Sequence, residues 1–355
     1  MHPYKNFPER QFWNRSVSGV PWSEVFSGLK SKFTITSEAD IASAGSCFSQ
    51  RIAQHLLKIN YGYKVYEKCH PLFQQESSEY GYDTFSCRYG NIYTVKQLKQ
   101  LIDQAFGLRG PIFKFEKMVA GNVIDLMRPN INAMGFDSFE EAEADRIFHL
   151  NQVRKMFETV DYFIFTLGLT EAWVDDKNDL VYGTHPSVFT HRQLEHDLLP
   201  INYDYEEVFN DFLYIHTTLT SINPKIKFIL TVSPVGLAAT HQDKHVLLST
   251  TYSKSVLRAV AGRLSDNFGN IDYFPSFEIF SLSQSFGQFL AEDLREISLR
   301  GVNVAMKTFE NMFFSETISL KSEVSIAHNH IDLDRSSATD VECDEIANSF
   351  FANKL

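Results

Sequence analysis

The stretch Asp40-Ile41-Ala42-Ser43-Ala44-Gly45-Ser46-Cys47-Phe48 is the part of this chain that decides its fold. Residues 40–44 are small and uncharged after the first position, which predicts a short strand buried on both faces. From Phe48 to Leu57 apolar residues return at three- and four-residue spacing, which predicts an amphipathic helix. The sequence therefore predicts a strand, a glycine turn and a helix in direct succession.

Two candidate nucleophiles, Ser46 and Cys47, lie in this turn. A helix N-terminus presents unpaired backbone N–H groups and the positive end of the helix dipole, which favour a thiolate and can hold an oxyanion. Nucleophilic chemistry at Cys47 is therefore physically reasonable. The alternative is a small buried cysteine that fills a strand-to-helix turn.

Strand and helix patterns alternate along the rest of the chain. Further strands are predicted at 63–67, 162–166, 227–232 and 271–274, and helices at 95–106, 139–157, 205–220 and 248–264. Such alternation implies parallel strands joined by right-handed crossovers, and hence a three-layer α/β/α sandwich with a mostly parallel central sheet. Motifs at the carboxyl ends of these strands converge on one edge of the sheet, where open α/β sheets bind ligands. These motifs are Ser46-Cys47, Gly168 to Glu171 and Ser233-Pro234.

Length and composition indicate a globular protein of 355 residues, 44% hydrophobic and 14% aromatic. We expect one large domain over residues 1–300, with an insertion at about 68–160 that caps the site. Residues 301–355 are expected to form a C-terminal extension.

Charge and cysteine content set limits on partners and compartment. A formal charge of −11 argues against nucleic-acid binding, which needs concentrated lysine and arginine. No run approaches the roughly 20 apolar residues that cross a bilayer, and the first residues have no apolar signal segment. The four cysteines form neither a CxxC pair nor a dense framework. These features predict a cytoplasmic protein without a membrane span.

Several separated blocks of the chain resemble the GSCFA family, which is related to the SGNH, or GDSL-like, hydrolases and acyltransferases. The resemblance spans roughly residues 1–300 and rests on Gly45-Ser46-Cys47-Phe48-Ser49, Tyr89-Gly90-Asn91-Ile92-Tyr93-Thr94, Arg128-Pro129, Phe165 to Trp173, Thr231-Val232-Ser233-Pro234-Val235, Tyr252 to Arg258, Phe274-Pro275-Ser276-Phe277-Glu278 and Ala291 to Glu296. It implies an SGNH-hydrolase-like, flavodoxin-like sheet.

The resemblance also implies how the site is assembled. Laying the Gly-Asp-Ser block of SGNH enzymes on Gly45-Ser46-Cys47 puts Cys47 in the place of the nucleophile. Gly90 with Asn91 and the segment Gly168 to Glu171 take the places of the oxyanion donors. Thr170 stands where those enzymes have an asparagine, so a hydroxyl must replace an amide there.

The general base departs from the SGNH pattern, because Glu296 stands where an Asp-x-x-His block beginning at Asp293 would have its histidine. Three other histidines, His185, His241 and His245, follow predicted strand ends, and His245 is favoured because it precedes a helix. Asp293 and Glu296 are expected to orient a histidine or to act as the base. The alternative is an exposed acidic helix end.

Three further side chains are candidates for substrate contact. Trp173 follows the Gly168 block and is the aromatic residue most expected beside a ligand. Lys254 and Arg258 lie four residues apart on one predicted helical face and could bind a carboxylate or phosphate, although solvated positions are the default explanation.

The function predicted from these observations is an esterase or O-acyltransferase that forms a covalent acyl-enzyme on an ester or thioester, with a small molecule or a saccharide as substrate. No cofactor is required, and acyl-coenzyme A is a candidate donor. One alternative is a non-catalytic binding module on the same scaffold. Another is a metal-dependent hydrolase, since His328, His330 and Asp332 alternate along a predicted strand.

Overall fold

A computed structural model describes residues 2–71, 77, 80–110, 112–132, 134–190, 198–281 and 283–315. The described residues form nine strands: β1 (Ile41–Gly45), β2 (Phe115–Lys117), β3 (Val123–Asp125), β4 (Tyr162–Leu167), β5 (Glu171–Asp175), β6 (Leu180–Tyr182), β7 (Leu199–Asn202), β8 (Lys227–Val232) and β9 (Ile271–Phe274). They also form nine α-helices: α1 (Trp13–Ser16), α2 (Cys47–Lys58), α3 (Val95–Ala105), α4 (Phe139–Thr159), α5 (Ser187–Thr190), α6 (Tyr205–Ile222), α7 (Val246–Asn267), α8 (Ser276–Ser281) and α9 (Leu299–Phe313).

The central sheet has the strand order β1-β4-β8-β9. Strands β1, β4 and β8 run parallel, with Ile41 opposite Tyr162 and Tyr162 opposite Lys227. Every residue of β1 and β4 is buried, as strands covered by helices on both faces must be. This arrangement confirms the predicted α/β fold with a three-layer α/β/α sandwich.

The predicted helices are confirmed as α3, α4, α6 and α7, with ends that differ by a few residues. Side-chain caps explain where two of them begin. At α6 the Asp204 carboxylate accepts the Glu207 N–H at 2.9 Å, and the Glu207 carboxylate accepts the Asp204 N–H at 2.9 Å. Thr94 and Gln97 form the same reciprocal pair at α3. These bonds satisfy N–H groups that the helix itself leaves unpaired.

The predicted strand at 63–67 is wrong. Its only pairing with the sheet among the described residues is an isolated bridge between Ile41 and Tyr63. Three residues later the Tyr66 N–H donates to Ser86 O at 2.7 Å, and the Glu67 carboxylate is buried against Arg88 and His149. The backbone therefore leaves the sheet edge to bring a charged side chain to its partners.

Residues 38–273 cluster into one compact unit that contains the whole sheet as far as Tyr273. The unit also holds a three-stranded antiparallel sheet, β6-β5-β7, and the hairpin β2-β3. The interval 68–160, predicted to be a cap, lies within this unit, and its helix α3 contacts both α4 and α6. Coverage of the site by this interval stays a prediction.

A second unit comprises residues 2–37 together with the described residues from 274 to 315. Its core is aromatic: Phe309 packs on Phe274 and Phe313 at centroid distances of 5.2 and 4.9 Å, and Trp22 packs on Phe289 at 5.4 Å. The predicted boundary at residue 300 falls within α9. Residues 316–355, with His328, His330 and Asp332, lie outside the described residues.

No helix in the described part of the chain is both long and apolar enough to span a bilayer.

Candidate active site

Cys47 is the first residue of α2 and follows the carboxyl end of β1. The turn depends on Gly45, whose φ of +139° is one that other residues rarely adopt, and where a Cβ atom would lie 2.5 Å from Thr166 O. Ser46 has an extended backbone and occupies the N-cap position without a side-chain cap, so Cys47 begins the first turn of α2. This geometry agrees with the predicted strand, glycine turn and helix.

Ser46 and Cys47 are both largely buried, with 2% and 6% of their surface exposed. The Ser46 hydroxyl has no hydrogen-bond partner among the described residues. Its Cβ packs against Gly168, where an added Cβ would lie only 3.0 Å away. Ser46 therefore packs between the Gly45 turn and the Gly168 block, and Cys47 is the first residue of the helix.

The Gly90–Asn91 segment lies beside the first turn of α2. The Ile92 N–H donates to Gly45 O at 2.9 Å, and the Gln50 side-chain amide donates to Asn91 Oδ1 at 3.0 Å. Gly90 has a φ of +67°, and its N–H has no acceptor among the described residues. The structure thus brings this predicted oxyanion block next to the nucleophile turn.

The block from Gly168 to Glu171 contacts the turn at Ser46. Its first three N–H groups and the Thr170 hydroxyl already donate to acceptors within the protein. The Gly168 and Leu169 N–H groups both donate to Tyr93 O, at 3.0 and 2.9 Å. The Thr170 hydroxyl, expected to replace an asparagine amide, donates to Asn202 Oδ1 at 2.6 Å. These donors therefore hold Tyr93 and Asn202 in place and are not available to an oxyanion. Asn202 was missed from the sequence because it lies 32 residues away and carries no motif.

Two residues of α7 fix the same block. The Thr170 N–H donates to Ser253 Oγ at 3.0 Å, and Lys254 Nζ donates to Gly168 O at 2.6 Å. Lys254 is 2% exposed, so the default explanation of a solvated position is wrong for this residue. Arg258 is half-buried, with its guanidinium 4.1 Å from the centre of the Tyr273 ring.

A cavity of about 240 Å³ opens beyond Leu169 and is lined by Glu171, Trp173, Thr240 and His241 among others. Trp173 packs edge-to-face on His185, with ring centroids 4.7 Å apart, and lies 5.8 Å from the His241 ring. Burial lowers the pKa of His185. The structure thus places Trp173 in the wall of a cavity, where a ligand contact was predicted.

The predicted bases occupy different surroundings. His245 is exposed and caps α7, where its Nδ1 accepts the Leu247 N–H at 3.2 Å. Asp293 lies in the second unit in an exposed turn, and its carboxylate accepts the N–H of Glu296 at 2.9 Å. The Glu296 carboxylate pairs with Arg295 at 2.5 Å. None of these contacts tests the predicted catalytic roles of His245, Asp293 and Glu296, which stay predictions.

A buried ionic cluster adjoins the Gly90 segment. The Glu67 carboxylate accepts the Arg88 N–H at 2.8 Å and lies 2.7 Å from His149 Nδ1. Burial opposes ionisation of Glu67, yet His149 and Arg128 lower its pKa to about 2. Burial lowers the pKa of His149 to about 4, although Glu67 acts in the opposite direction. The cluster therefore fixes the backbone at Arg88, two residues before Gly90, through the ionised Glu67 carboxylate and the neutral His149 ring.

The fold and the candidate site define a class of protein: an α/β/α protein with the turn Gly45–Cys47 after its first strand and further motifs at the carboxyl edge of the same sheet. The sequence profile of the GSCFA family matches residues 40–309. The chain belongs to the GSCFA family, as its sequence blocks predicted. No curated protein and no solved structure shows a significant match to the chain.

Proposed function

We propose that this protein is an SGNH-like esterase or O-acyltransferase in which Cys47 is the nucleophile. The observation that supports this most is the convergence of three separate segments: Gly168 packs on Ser46, and Ile92 donates its N–H to Gly45 O. A glycine with an available N–H, Gly90, belongs to the second segment. These are the parts that an acyl transfer site requires.

In the first step the Cys47 thiolate attacks the carbonyl carbon of an ester or thioester. A C–S bond forms, and the negative charge moves to the carbonyl oxygen. The Gly90 N–H, which has no acceptor among the described residues, is the proposed donor to this oxyanion. The intermediate collapses by breaking the bond to the leaving alkoxide or thiolate, which takes up a proton from solvent water, and acyl-Cys47 remains.

In the second step water or a substrate hydroxyl gives its proton to a base and attacks the acyl-Cys47 carbonyl, the C–S bond breaks and the thiolate is regenerated. Water makes the protein an esterase, and a saccharide hydroxyl makes it an O-acyltransferase. Acyl-coenzyme A is the thioester donor that we propose for transfer. The reaction as proposed uses no cofactor.

A binding module without catalysis is the second candidate. It is favoured by one observation: the N–H groups of Gly168, Leu169 and Thr170 and the Thr170 hydroxyl all have partners within the protein. A module of this kind would use the cavity beside Trp173 for a ligand, and its affinity would survive Cys47→Ala.

The proposal predicts that Cys47→Ala lowers the rate of p-nitrophenyl acetate hydrolysis by at least about 100-fold, because the covalent route is lost. Ser46→Ala should keep most of the activity, since the Ser46 hydroxyl has no partner among the described residues. Initial rates and thermal melting curves are measured for both variants. Equal rates for Cys47→Ala and the parent protein would contradict the proposal and favour the binding module.

A further inference from the structure

We propose that His241 is the proton acceptor for the hydroxyl group that attacks acyl-Cys47, and that the cavity beside Trp173 holds this hydroxyl-bearing acceptor. This inference deepens the proposed function and rests on it. It assigns the second half of the reaction to a histidine outside the Asp-x-x-His position of SGNH enzymes.

The hydrogen bonds of His241 select its tautomer. Nε2 lies 3.0 Å from the carbonyl oxygen of Ile201 and 3.5 Å from Glu171 Oε2. Both partners are acceptors, so Nε2 carries the hydrogen and donates it. In the neutral ring Nδ1 then holds the lone pair, and it has no hydrogen-bond donor among the described residues. His241 is therefore held as a base with its accepting nitrogen available.

Glu171 holds the ring and its loop together. Its Oε2 accepts the His241 backbone N–H at 3.2 Å, and its Oε1 accepts the Thr240 hydroxyl at 2.7 Å. Glu171 is 6% exposed, and its carboxylate lies 3.5 Å from His241 Nε2, on the side of the ring opposite the accepting nitrogen. Glu171 is a positioning residue in this account. It occupies the last position of the Gly168 block, so one segment serves both sites.

The cavity adjoins the Gly168 block, which in turn packs on the turn that holds Cys47. His241, Glu171 and Trp173 line it, and so does Leu169. The residue before Leu169, Gly168, packs against Ser46, which directly precedes Cys47. A volume of about 240 Å³ with an aromatic wall and a few polar groups suits a small polyhydroxylated molecule or one saccharide unit.

Transfer of the acyl group from Cys47 to the acceptor conserves atoms and charge. The acceptor hydroxyl loses its proton to His241 Nδ1 while its oxygen bonds to the acyl carbon. The C–S bond to Cys47 then breaks, and the sulfur leaves as a thiolate. The imidazolium gives its proton to solvent water, so Cys47 is again a thiolate and His241 is again neutral.

The experiment separates the two halves of the reaction in the full-length protein. Acyl-enzyme is formed with p-nitrophenyl acetate, excess reagent is removed, and the decay of the adduct is followed by intact-protein mass spectrometry with and without glycerol as a model acceptor. His241→Gln keeps a side-chain N–H that can donate to Ile201 O, but its amide cannot accept the proton of the attacking hydroxyl. His241→Ala leaves space for added imidazole. Gln242→Ala serves as the control in the same loop.

We expect both His241 variants to form the adduct at the parent rate and to lose it about 100-fold more slowly, which is typical for loss of a general base. Imidazole should restore decay in His241→Ala and leave the parent protein and Gln242→Ala unchanged. Glu171→Gln should slow decay less than loss of His241.

Three results would overturn the inference. Adduct decay at the parent rate in both His241 variants removes the base role, and slow decay without imidazole rescue makes His241 structural. Slow decay in His245→Asn, which keeps a capping side chain, with normal decay in the His241 variants would assign the base to His245. If the parent protein forms no adduct at all, the proposed function fails together with this inference.

Discussion

At the scale of single residues, the site depends on positions where a side chain must be absent or buried. Gly45 has to be glycine because β1 turns into α2 directly against Thr166, and a Cβ there would lie 2.5 Å from the Thr166 carbonyl oxygen. A Cβ at Gly168 would lie 3.0 Å from both Ser46 Cβ and Tyr93 O, so a side chain there would require these neighbours to shift. Both glycines bring the first and second parallel strands into contact at the nucleophile turn.

Gly45→Ala tests this requirement. The φ of +139° and the overlap with Thr166 are expected to lower the free energy of unfolding by roughly 2–4 kcal/mol. Gly269→Ala is the matched control, because nothing lies within 4 Å of a Cβ at Gly269. Urea unfolding of the two variants provides the comparison. Similar stabilities for both would show that the turn tolerates a side chain.

At the scale of elements, α7 connects the nucleophile turn to the rest of the sheet. Ser253 accepts a hydrogen bond from the Thr170 N–H, and Lys254 donates one to Gly168 O. The block that contains both residues packs on Ser46. A buried lysine that donates to a backbone carbonyl holds the loop with a charge-assisted hydrogen bond. The position of Cys47 therefore depends on a helix about 200 residues further along the chain.

Lys254→Met keeps the length of the side chain and removes its charge. We expect Cys47 to acylate about 10- to 100-fold more slowly, because a loop displaced by about an ångström misplaces the reacting groups. Lys244→Met, at an exposed position just before α7, is the control. The rate of adduct formation and the melting temperature are measured for each. Unchanged acylation in Lys254→Met would argue against a positioning role.

The helices and most strands could be predicted from the sequence because their apolar spacing reports burial directly. The strand expected at 63–67 failed because the burial of Glu67 depends on Arg88 and His149, which are 21 and 82 residues away. For the same reason the sequence located Cys47, Gly90 and Gly168 through their motifs, but it could not show that Lys254 is buried or that Thr170 donates to Asn202.

At the scale of the whole molecule, the buried ionic cluster makes stability depend on pH. The pKa of His149 falls from 6.5 to about 4 on folding. The unfolded chain therefore binds more protons between these values, and stability is lost as the pH falls from about 6.5 to 4. The pKa of Glu67 falls from 4.5 to about 2, so its contribution is lost at lower pH.

His149→Gln should flatten the decline in the free energy of unfolding between pH 6.5 and 4, which is on the order of 2–3 kcal/mol for this group. Burial also lowers the pKa of His185, so some pH dependence of the unfolding free energy should remain in His149→Gln. The slope of each variant is therefore compared with that of the parent protein. His216→Gln is the control. Urea unfolding at pH 7, 5.5 and 4 gives the slopes. An unchanged slope in His149→Gln would mean that His149 is not the group responsible.

The proposed function requires an acyl-enzyme at Cys47, and intact-protein mass spectrometry detects this adduct. The parent protein, Ser46→Ala and Cys47→Ala are incubated with p-nitrophenyl acetate and, separately, with acetyl-coenzyme A. We expect a single acetyl adduct on the parent protein and on Ser46→Ala, and none on Cys47→Ala. An adduct that persists in Cys47→Ala and disappears in Ser46→Ala, or equal labelling of all three proteins, would contradict the proposed function.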